Sequence, residues 1–268
     1  MAYSNTQNSL EAQVIKMDNI LVKKSTKFNS SQQKLFYICL ASINNGVNID
    51  NEIEINKEEL FNYLGLNDSN RHTRIRKQFK NLLKASFIEF GNDENFNDGF
   101  LLVNTRSTRK KIYVEIGRRY KPLLIELSKN YTKLLNDDVT LFNSKYSMML
   151  YQNLMRLNVY SNHIEFTTQQ LKDFFGLKEA DYVYNGAFNR ALFERKTINV
   201  AVKEINEKSK CIKNLVVSKE YSGRKVACYV FSFKYFDPQQ EKNTRYEKEP
   251  LENKDRLEDY KNFNWWEV

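Results

Sequence analysis

At 268 residues the chain is long enough for two domains of ordinary size, each with a core of its own. Its content of 41% hydrophobic and 13% aromatic residues is typical of a globular protein and excludes a disordered scaffold. A formal net charge of +9 favours a polyanionic partner, and nucleic acid is the first candidate.

No apolar run approaches the roughly 20 residues that cross a bilayer, and the first residues lack the basic flank and apolar core of a signal peptide. We therefore expect a cytoplasmic protein that binds no membrane. The cysteines, Cys39, Cys211 and Cys228, form no CxxC pair and are interpreted as reduced, buried thiols. Because His72 and His163 are the only histidines, zinc chemistry is disfavoured, and we expect neither metal nor cofactor.

The first predicted helix opens at a capping box formed by Ser30 and Gln33. Apolar residues recur along it at helical spacing, and we expect it to end near residues 44–46. Those apolar positions are Leu35, Ile38, Cys39 and Ile43.

A segment of this chain occurs twice. Residues 53–66 read IEINKEELFNYLGL, and residues 164–177 read IEFTTQQLKDFFGL. Each copy predicts a short strand, a helix capped by Asn56 or Thr167, and a helix end at Gly-Leu. Two copies this far apart indicate a duplicated domain and not a solenoid.

After the first copy a second helix is predicted over residues 70–87. Two apolar runs, residues 87–90 and 100–105, then flank a turn rich in Asn, Asp and Gly, which predicts a β-hairpin. The buried face of the helix is expected to contain Ile75, Phe79, Leu82 and Leu83.

The second half follows the same order. A helix over residues 144–157 precedes the second copy, a longer insert occupies residues 178–192, and one helix is predicted over residues 193–209. Residues 212–221 and 224–236 form the matching hairpin around the Ser222-Gly223 turn. Inward positions of the last helix are Ile198, Val202 and Ile205.

These elements predict an α+β fold with two tandem winged-helix domains, each a helix-turn-helix plus a β-hairpin wing, related by internal duplication. We place the N-terminal domain at residues 1–130, the C-terminal domain at 131–236 and a tail at 237–268. The tail contains 9 acidic and 6 basic residues, so its net charge is −3 and that of the body is +12. We expect the tail to be mobile and to contact proteins. Its aromatic end is either a docking peptide or a helix that packs on the body.

In a helix-turn-helix the second helix enters the major groove, with its N-terminal residues at base edges. Arginine and lysine suit guanine there, and asparagine suits adenine. The alternative is that these charged residues only form a solvated helix face. We disfavour it because two such helices occur in a body with a net charge of +12. The candidates are Arg195, Lys196, Asn199 and Lys203 in the C-terminal helix and Asn70, Arg71, Arg74, Lys77 and Lys80 in the N-terminal one.

Further cations accompany the predicted wings, where they typically contact phosphates or the minor groove. Those after the first hairpin are expected either to bind DNA or to lie in a connector facing water. Around the second turn the candidates are Lys219, Arg224 and Lys225, and after the first hairpin they are Arg106, Arg109, Lys110 and Lys111.

Motifs of enzymes are missing from the sequence. It contains no P-loop, no GxSxG and no acidic cluster at metal-binding spacing, so we expect no catalytic residue and no enzymatic activity. The pair Asp137-Asp138 is interpreted as the boundary of a helix or loop.

Five segments of the body resemble the replication initiators of iteron-containing, theta-replicating plasmids. The resemblance covers most of residues 14–236, and the run ending in KEINEKS before a GRKV wing is quite specific. The segments are residues 14–43, 145–155, 166–177, 193–209 and 223–233.

This resemblance implies two winged-helix domains that together grip one origin repeat, the iteron. The C-terminal recognition helix would supply base readout, and the N-terminal domain would supply backbone contacts and a dimerisation surface. Arg195 and Lys196 fall where the family places basic recognition residues, whereas Glu194 stands where a further basic residue is common.

A monomer–dimer equilibrium is also implied by the resemblance. Monomers would open the origin and recruit host replication proteins, with the host initiator, helicase and primase as candidates, and dimers would repress the initiator's own gene. A winged-helix transcriptional repressor that binds a palindromic operator as a fixed dimer is the alternative function. A nicking initiator is the third candidate function.

Overall fold

The computed structural model describes residues 14–18, 21, 28–43, 51–89, 93–124, 131–157 and 161–237. Its helices and strands fall into two runs. The first run contains β1 (Val14–Asp18), α1 (Ser30–Ile43), β2 (Glu52–Asn56), α2 (Lys57–Tyr63), α3 (Arg71–Ala85), β3 (Phe87–Ile88), β4 (Gly99–Phe100), β5 (Leu102–Ser107), β6 (Lys111–Ile116), a 3-10 turn (Arg118–Tyr120) and α4 (Lys121–Leu124). The second run contains β7 (Tyr131–Leu135), α5 (Asn136–Leu141), α6 (Lys145–Leu157), β8 (His163–Thr167), α7 (Thr168–Phe174), β9 (Val183–Tyr184), β10 (Ala187–Phe188), α8 (Arg190–Lys196), α9 (Ile198–Lys208), β11 (Ile212–Ser222) and β12 (Lys225–Tyr235).

Each run builds a three-stranded antiparallel sheet of the same topology, with strand orders β2-β6-β5 and β8-β12-β11. The strand before the helix pair lies beside the last strand of the wing, with Ile53 opposite Val114 and Ile164 opposite Phe231. This shared arrangement confirms the α+β class and the two winged helices related by duplication.

The two copies of the repeated segment fold alike. Asn56 caps α2 by accepting hydrogen bonds from two backbone N–H groups, at 2.9 and 3.2 Å, and Thr167 forms a complete capping box with Gln170 at the start of α7. Both helices end at glycines in the left-handed region, Gly65 at φ 63° and Gly176 at φ 61°. The N–H of the leucine that follows each glycine bonds to the carbonyl five residues earlier, at 2.8 and 3.0 Å.

The capping box of α1 lies one residue before the predicted one. Asn29 and Gln32 exchange bonds between side chain and backbone of 2.8 and 3.0 Å. Gln33, expected to complete a box with Ser30, is instead buried and donates to the Tyr37 hydroxyl at 2.8 Å. The prediction was wrong because Asn29 and Ser30 are both good N-cap residues, so the sequence pattern fits two registers.

The wing of the first unit is formed by β5 and β6, with its turn at residues 108–110. The hairpin predicted across residues 87–105 is reduced to the two-residue pair of β3 and β4. Leu101, which follows β4, is buried; its N–H donates to the Ser86 carbonyl and its carbonyl accepts from the Gly117 N–H, at 2.9 Å each. The cations expected to follow the hairpin therefore lie within the wing itself: Arg106, Arg109, Lys110 and Lys111.

The C-terminal recognition helix begins at Arg190 and is divided into α8 and α9. The break is at Thr197, whose φ of −118° and ψ of −74° depart from regular helical values. Its buried hydroxyl donates to the Phe193 carbonyl at 2.7 Å, a contact that bends helices. The single helix predicted over residues 193–209 is therefore corrected to two shorter helices.

One hydrophobic core runs through both units. Strand β7 pairs with β1, and α1 packs on α3, α5 and α6, so contacts cross the expected boundary at residue 130. Except for Asp237, the tail expected at residues 237–268 lies outside the described residues. Predicted core positions that are buried are Ile75, Phe79, Leu82, Ile198 and Ile205, and those that are partly buried are Leu83 and Val202.

Two of the three thiols are buried as predicted. Burial raises the pKa of Cys39 and of Cys211 to about 12. Cys228 is instead half-buried on β12, and its sulfur lies 3.3 Å from a carboxylate oxygen of Glu220. The prediction was wrong at Cys228 because alternate residues of a wing strand face solvent.

Asp138 fixes the chain just after α9. It is buried near the start of α5 and accepts hydrogen bonds from the Ser209 hydroxyl at 2.5 Å and from the N–H groups of Lys210 and Cys211 at 2.8 and 3.2 Å. The Asp137-Asp138 pair therefore lies at a helix start, as predicted.

Glu204 joins α9 to the start of α6. Its carboxylate accepts bonds from the N–H groups of Asn143 and Ser144 at 3.0 Å each, from the Ser147 hydroxyl at 2.6 Å and from Lys208 at 2.8 Å. Burial alone would raise the pKa of Glu204, but these four donors outweigh it and lower the pKa to about 2. The recognition helix is thereby fixed to the core.

We expect Glu204→Gln to destabilise the fold by about 1–3 kcal/mol at neutral pH, because four donors lose a charged acceptor. The folded-state pKa lies below the ordinary value of 4.5, so this stability is present above pH 4.5 and is lost as pH falls through about 2. Denaturant unfolding at several pH values should show the difference from the parent shrinking in acid. Glu207→Gln, at an exposed carboxylate on the same helix, is the control. A difference in unfolding free energy between Glu204→Gln and the parent that does not change with pH would contradict the account.

Candidate nucleic-acid interface

Helices α8 and α9 bury their apolar residues, Phe193, Ile198 and Ile205, in the core. Among the described residues, the side chains of Arg195, Lys196 and Asn199 make no hydrogen bond or ion pair. The ammonium of Lys203 lies 3.8 Å from the carboxylate of Glu207. Such an exposed pair contributes little, so all four side chains are available to a partner. The candidates exposed here are Arg195, Lys196, Asn199 and Lys203.

The second wing is a long hairpin whose tip carries two cations. Strands β11 and β12 pair up to Ser222 and Lys225, and Gly223 makes the turn at φ 61°. Arg224 and Lys225 are exposed at this tip. Tyr221 is 63% exposed beside them and was missed in the sequence, although an aromatic residue next to a basic turn is a signal for nucleic-acid contact.

Lys219, predicted as a wing contact, is already bonded within the protein. Its ammonium donates to Glu194 of α8 at 2.6 Å, and the Tyr229 hydroxyl of β12 donates to the other carboxylate oxygen at 2.8 Å. Glu194 is therefore a neutralised residue that joins the recognition helix to both wing strands.

Two candidates on the recognition helix of the first unit bind carboxylates. Arg71 donates to Glu58 at 3.2 Å, and its guanidinium lies 4.7 Å from the centre of the Phe61 ring. Arg74 donates to Asp68. Both positions remain accessible, but their charges are partly compensated.

The first wing shows the same compensation. Arg106 donates to both oxygens of Glu52 at 2.6 and 2.5 Å, and its guanidinium lies 3.7 Å from the centre of the Tyr113 ring. Lys111 pairs with Glu54 at 2.5 Å, which raises the pKa of the lysine. Glu54 lies on the strand next to that of Lys111, whereas Glu52 and Arg106 lie on the two strands that flank β6. The sequence pattern alone did not reveal either pair.

The other candidates of the first unit are exposed, and their side chains make no hydrogen bond or ion pair with another described residue. The side chain of Asn70, at the N-cap of α3, makes no capping hydrogen bond. These residues are Asn70, Lys77, Lys80, Arg109 and Lys110.

A groove of about 380 Å³ separates α3 from β5 and adjoins the first wing. Its floor is apolar, and its walls carry hydroxyls and guanidinium groups, a lining suited to an anion. Arg76, which is exposed on α3, was not among the sequence candidates. The lining residues are Lys57, His72, Ile75, Arg76, Phe79, Thr105, Arg106, Ser107 and Ile112.

A metal site would need several donor side chains grouped within the described ranges. No cluster of three or more histidine, cysteine, aspartate or glutamate side chains there is placed to hold a metal ion. No helix in those ranges is both long and apolar enough to cross a membrane.

Tandem winged helices with exposed cations on recognition helices and wings define a DNA-binding protein of the winged-helix class. The family model described as "Initiator Replication protein, WH1" matches residues 14–155, and the one described as "Initiator Rep protein, WH2" matches residues 167–233. The chain belongs to this family of initiator replication proteins. Residues 156–166 lie between the two matches.

The fold is similar to that of a solved initiator. A crystal structure of the Pi initiator protein in complex with iteron DNA matches with a TM-score of 0.69 and 20% identity, covering 85% of this chain and 99% of that chain. A structure of domains 2–3 of RctB matches with a TM-score of 0.43 and 11% identity, covering 81% and 84%. None of the curated proteins matches the chain.

Proposed function

We propose that this protein initiates plasmid replication by binding the direct repeats, or iterons, of the origin as double-stranded DNA. The observation that carries the proposal is the presence of both initiator domains in one chain, in order, over residues 14–155 and 167–233. The likeness to an initiator that binds iteron DNA supports it. The protein acts by binding, without catalysis, and works in the cytoplasm.

The C-terminal unit reads bases in this proposal. Arg195, Lys196 and Asn199 are exposed and unengaged among the described residues, as base-reading side chains must be before DNA arrives. Arg224 and Lys225 reach phosphates from the wing. The N-terminal unit positions the DNA backbone through Lys77, Arg109 and Lys110, and through the partly compensated cations Arg71, Arg74 and Arg106.

The remaining assignments follow the family. The protein exchanges between monomer and dimer, and it recruits host replication proteins, with the host initiator, helicase and primase as candidates. Residues 1–130, 131–236 and 237–268 are the proposed N-terminal domain, C-terminal domain and tail. A repressor on the same fold would instead bind a palindrome as a fixed dimer.

The test uses the DNA that flanks the gene. We expect the full chain to protect several direct repeats of about 20 base pairs, or two helical turns, from DNase I. Protection of one palindrome would favour the repressor. Metal-dependent cleavage of a supercoiled plasmid that carries the origin would favour a nicking enzyme.

Substituting Arg195 or Lys196 by Ala is expected to weaken binding to a repeat by about 1–3 kcal/mol, because a base contact is lost. Binding to random duplex should weaken less. Lys133→Ala, at an exposed lysine on β7, a strand outside both three-stranded sheets, is the control for loss of one charge. Equal losses on both DNAs, measured by fluorescence anisotropy, would make these residues phosphate contacts.

In the first unit, replacing Lys77, Arg109 and Lys110 together by Ala should weaken binding to every sequence. Each lost phosphate contact should lower the slope of log K against log salt by about 0.9. Arg71→Ala and Arg74→Ala should change the slope less, since Glu58 and Asp68 already compensate those charges. An unchanged slope in the triple variant would remove these cations from the interface.

A further inference from the structure

Glu194 lies at the junction between the recognition helix and the wing. Its side chain is only 15% exposed, although Arg195, the next residue, faces solvent. One carboxylate oxygen accepts from Lys219 on β11 at 2.6 Å, and the other accepts from Tyr229 on β12 at 2.8 Å. Both oxygens are therefore bonded, and one acidic side chain binds both strands of the wing.

The tyrosine end of this junction is a firm anchor. Tyr229 is fully buried, and its ring centre lies 6.4 Å from that of Phe193, the neighbour of Glu194 on α8. Burial, and then the bond to Glu194, raise the pKa of Tyr229, so the hydroxyl stays protonated and donates at neutral pH. Apolar packing and a charged hydrogen bond thus join the same turn of helix to the same strand.

The first unit differs at its wing. Arg106 of β5 donates to Glu52 of the same sheet. A groove of about 380 Å³ lies between α3 and β5. In the unit to which we assign base readout, a carboxylate of the recognition helix bonds to both wing strands.

We propose that Glu194 is a positioning residue for repeat recognition. By holding α8 against both wing strands, it keeps the base-facing Arg195 and Lys196 in fixed register with the cations at the wing tip. A prearranged helix and wing lose less entropy when both engage one duplex. Lys219 then serves as the partner of Glu194, so its ammonium is engaged within the protein and not by a phosphate.

The inference rests on the proposed DNA binding. A competing account predicts the opposite change in DNA affinity when the charge of Glu194 is removed. If Glu194 only repelled the DNA backbone, removing its charge would strengthen binding to every duplex. If it positions the helix and wing, removing its charge weakens binding to the repeat and spares random duplex, because nonspecific binding needs no fixed register.

The test is a double-mutant cycle of Glu194→Gln and Lys219→Met in the full chain, with Tyr229→Phe as a third variant. DNA affinities are measured on a duplex carrying one origin repeat and on a scrambled duplex across a salt series, and circular dichroism melting verifies folding. We expect Glu194→Gln to weaken repeat binding about tenfold and to leave the scrambled duplex within about twofold. Glu207→Gln, at an exposed carboxylate of α9, should change neither.

Lys219→Met should reproduce the loss of Glu194→Gln at an unchanged salt slope, and the double variant should lose no more than either single one. Tyr229→Phe should reduce the preference for the repeat in the same direction. Tighter binding of Glu194→Gln to both duplexes, additive losses, or a slope lowered by about 0.9 in Lys219→Met would overturn the proposal. If the parent protein shows no preference for any repeat, the proposed function fails; if it shows one that Glu194→Gln retains, only this inference fails.

Discussion

In each unit the fold depends on the pairing of one short strand with the returning strand of the wing. Strand β2 pairs with β6 and β8 with β12, and in both cases the helix-turn-helix begins at the next residue. Asn56 and Thr167 are each the last residue of a strand and the N-cap of a helix. The ladder of hydrogen bonds therefore sets where the first helix starts and how the recognition helix lies relative to the wing.

The same framework carries two different surfaces. In the first unit Arg71, Arg74 and Arg106 are bonded to carboxylates, which lowers the free charge but fixes the side chains. In the second unit Arg195 and Lys196 have no such partner among the described residues. The difference is one of degree, because Lys77, Arg109 and Lys110 of the first unit are also unengaged among the described residues, and Lys219 of the second unit is bonded to Glu194. The proposed division of labour between the units therefore depends on which unengaged cations meet base edges and which meet phosphates.

Much of the fold could be predicted from local patterns, because the physical causes are local. The repeated segment contains its own caps and a left-handed glycine at each helix end, and helical spacing identified Ile75, Phe79, Ile198 and Ile205 as core. The position of the first wing could not be predicted in this way. The predicted hairpin joined residues 87–90 to residues 100–105, which include the first four residues of β5. The apolar run nearest in the sequence was thus chosen as the partner of this largely exposed strand, whereas its partner in the wing is β6.

Features that depend on individual side-chain bonds were also missed. The division between α8 and α9 follows from a hydroxyl bond of Thr197 to Phe193, which helical periodicity does not reveal. The candidate site was predicted as a set of exposed cations, but their pairing was not. Glu194 and Lys219 are 25 residues apart, and only the wing brings them together.

The central claim is that one chain reads one repeat through two winged helices on the same duplex. Hydroxyl-radical footprinting of the full chain on a single repeat tests this most directly. The account predicts two protected segments on one face of the DNA, about one helical turn or 10 base pairs apart, with unequal flanking patterns because the two units differ. A single protected segment, or two equivalent halves related by a dyad, would contradict it.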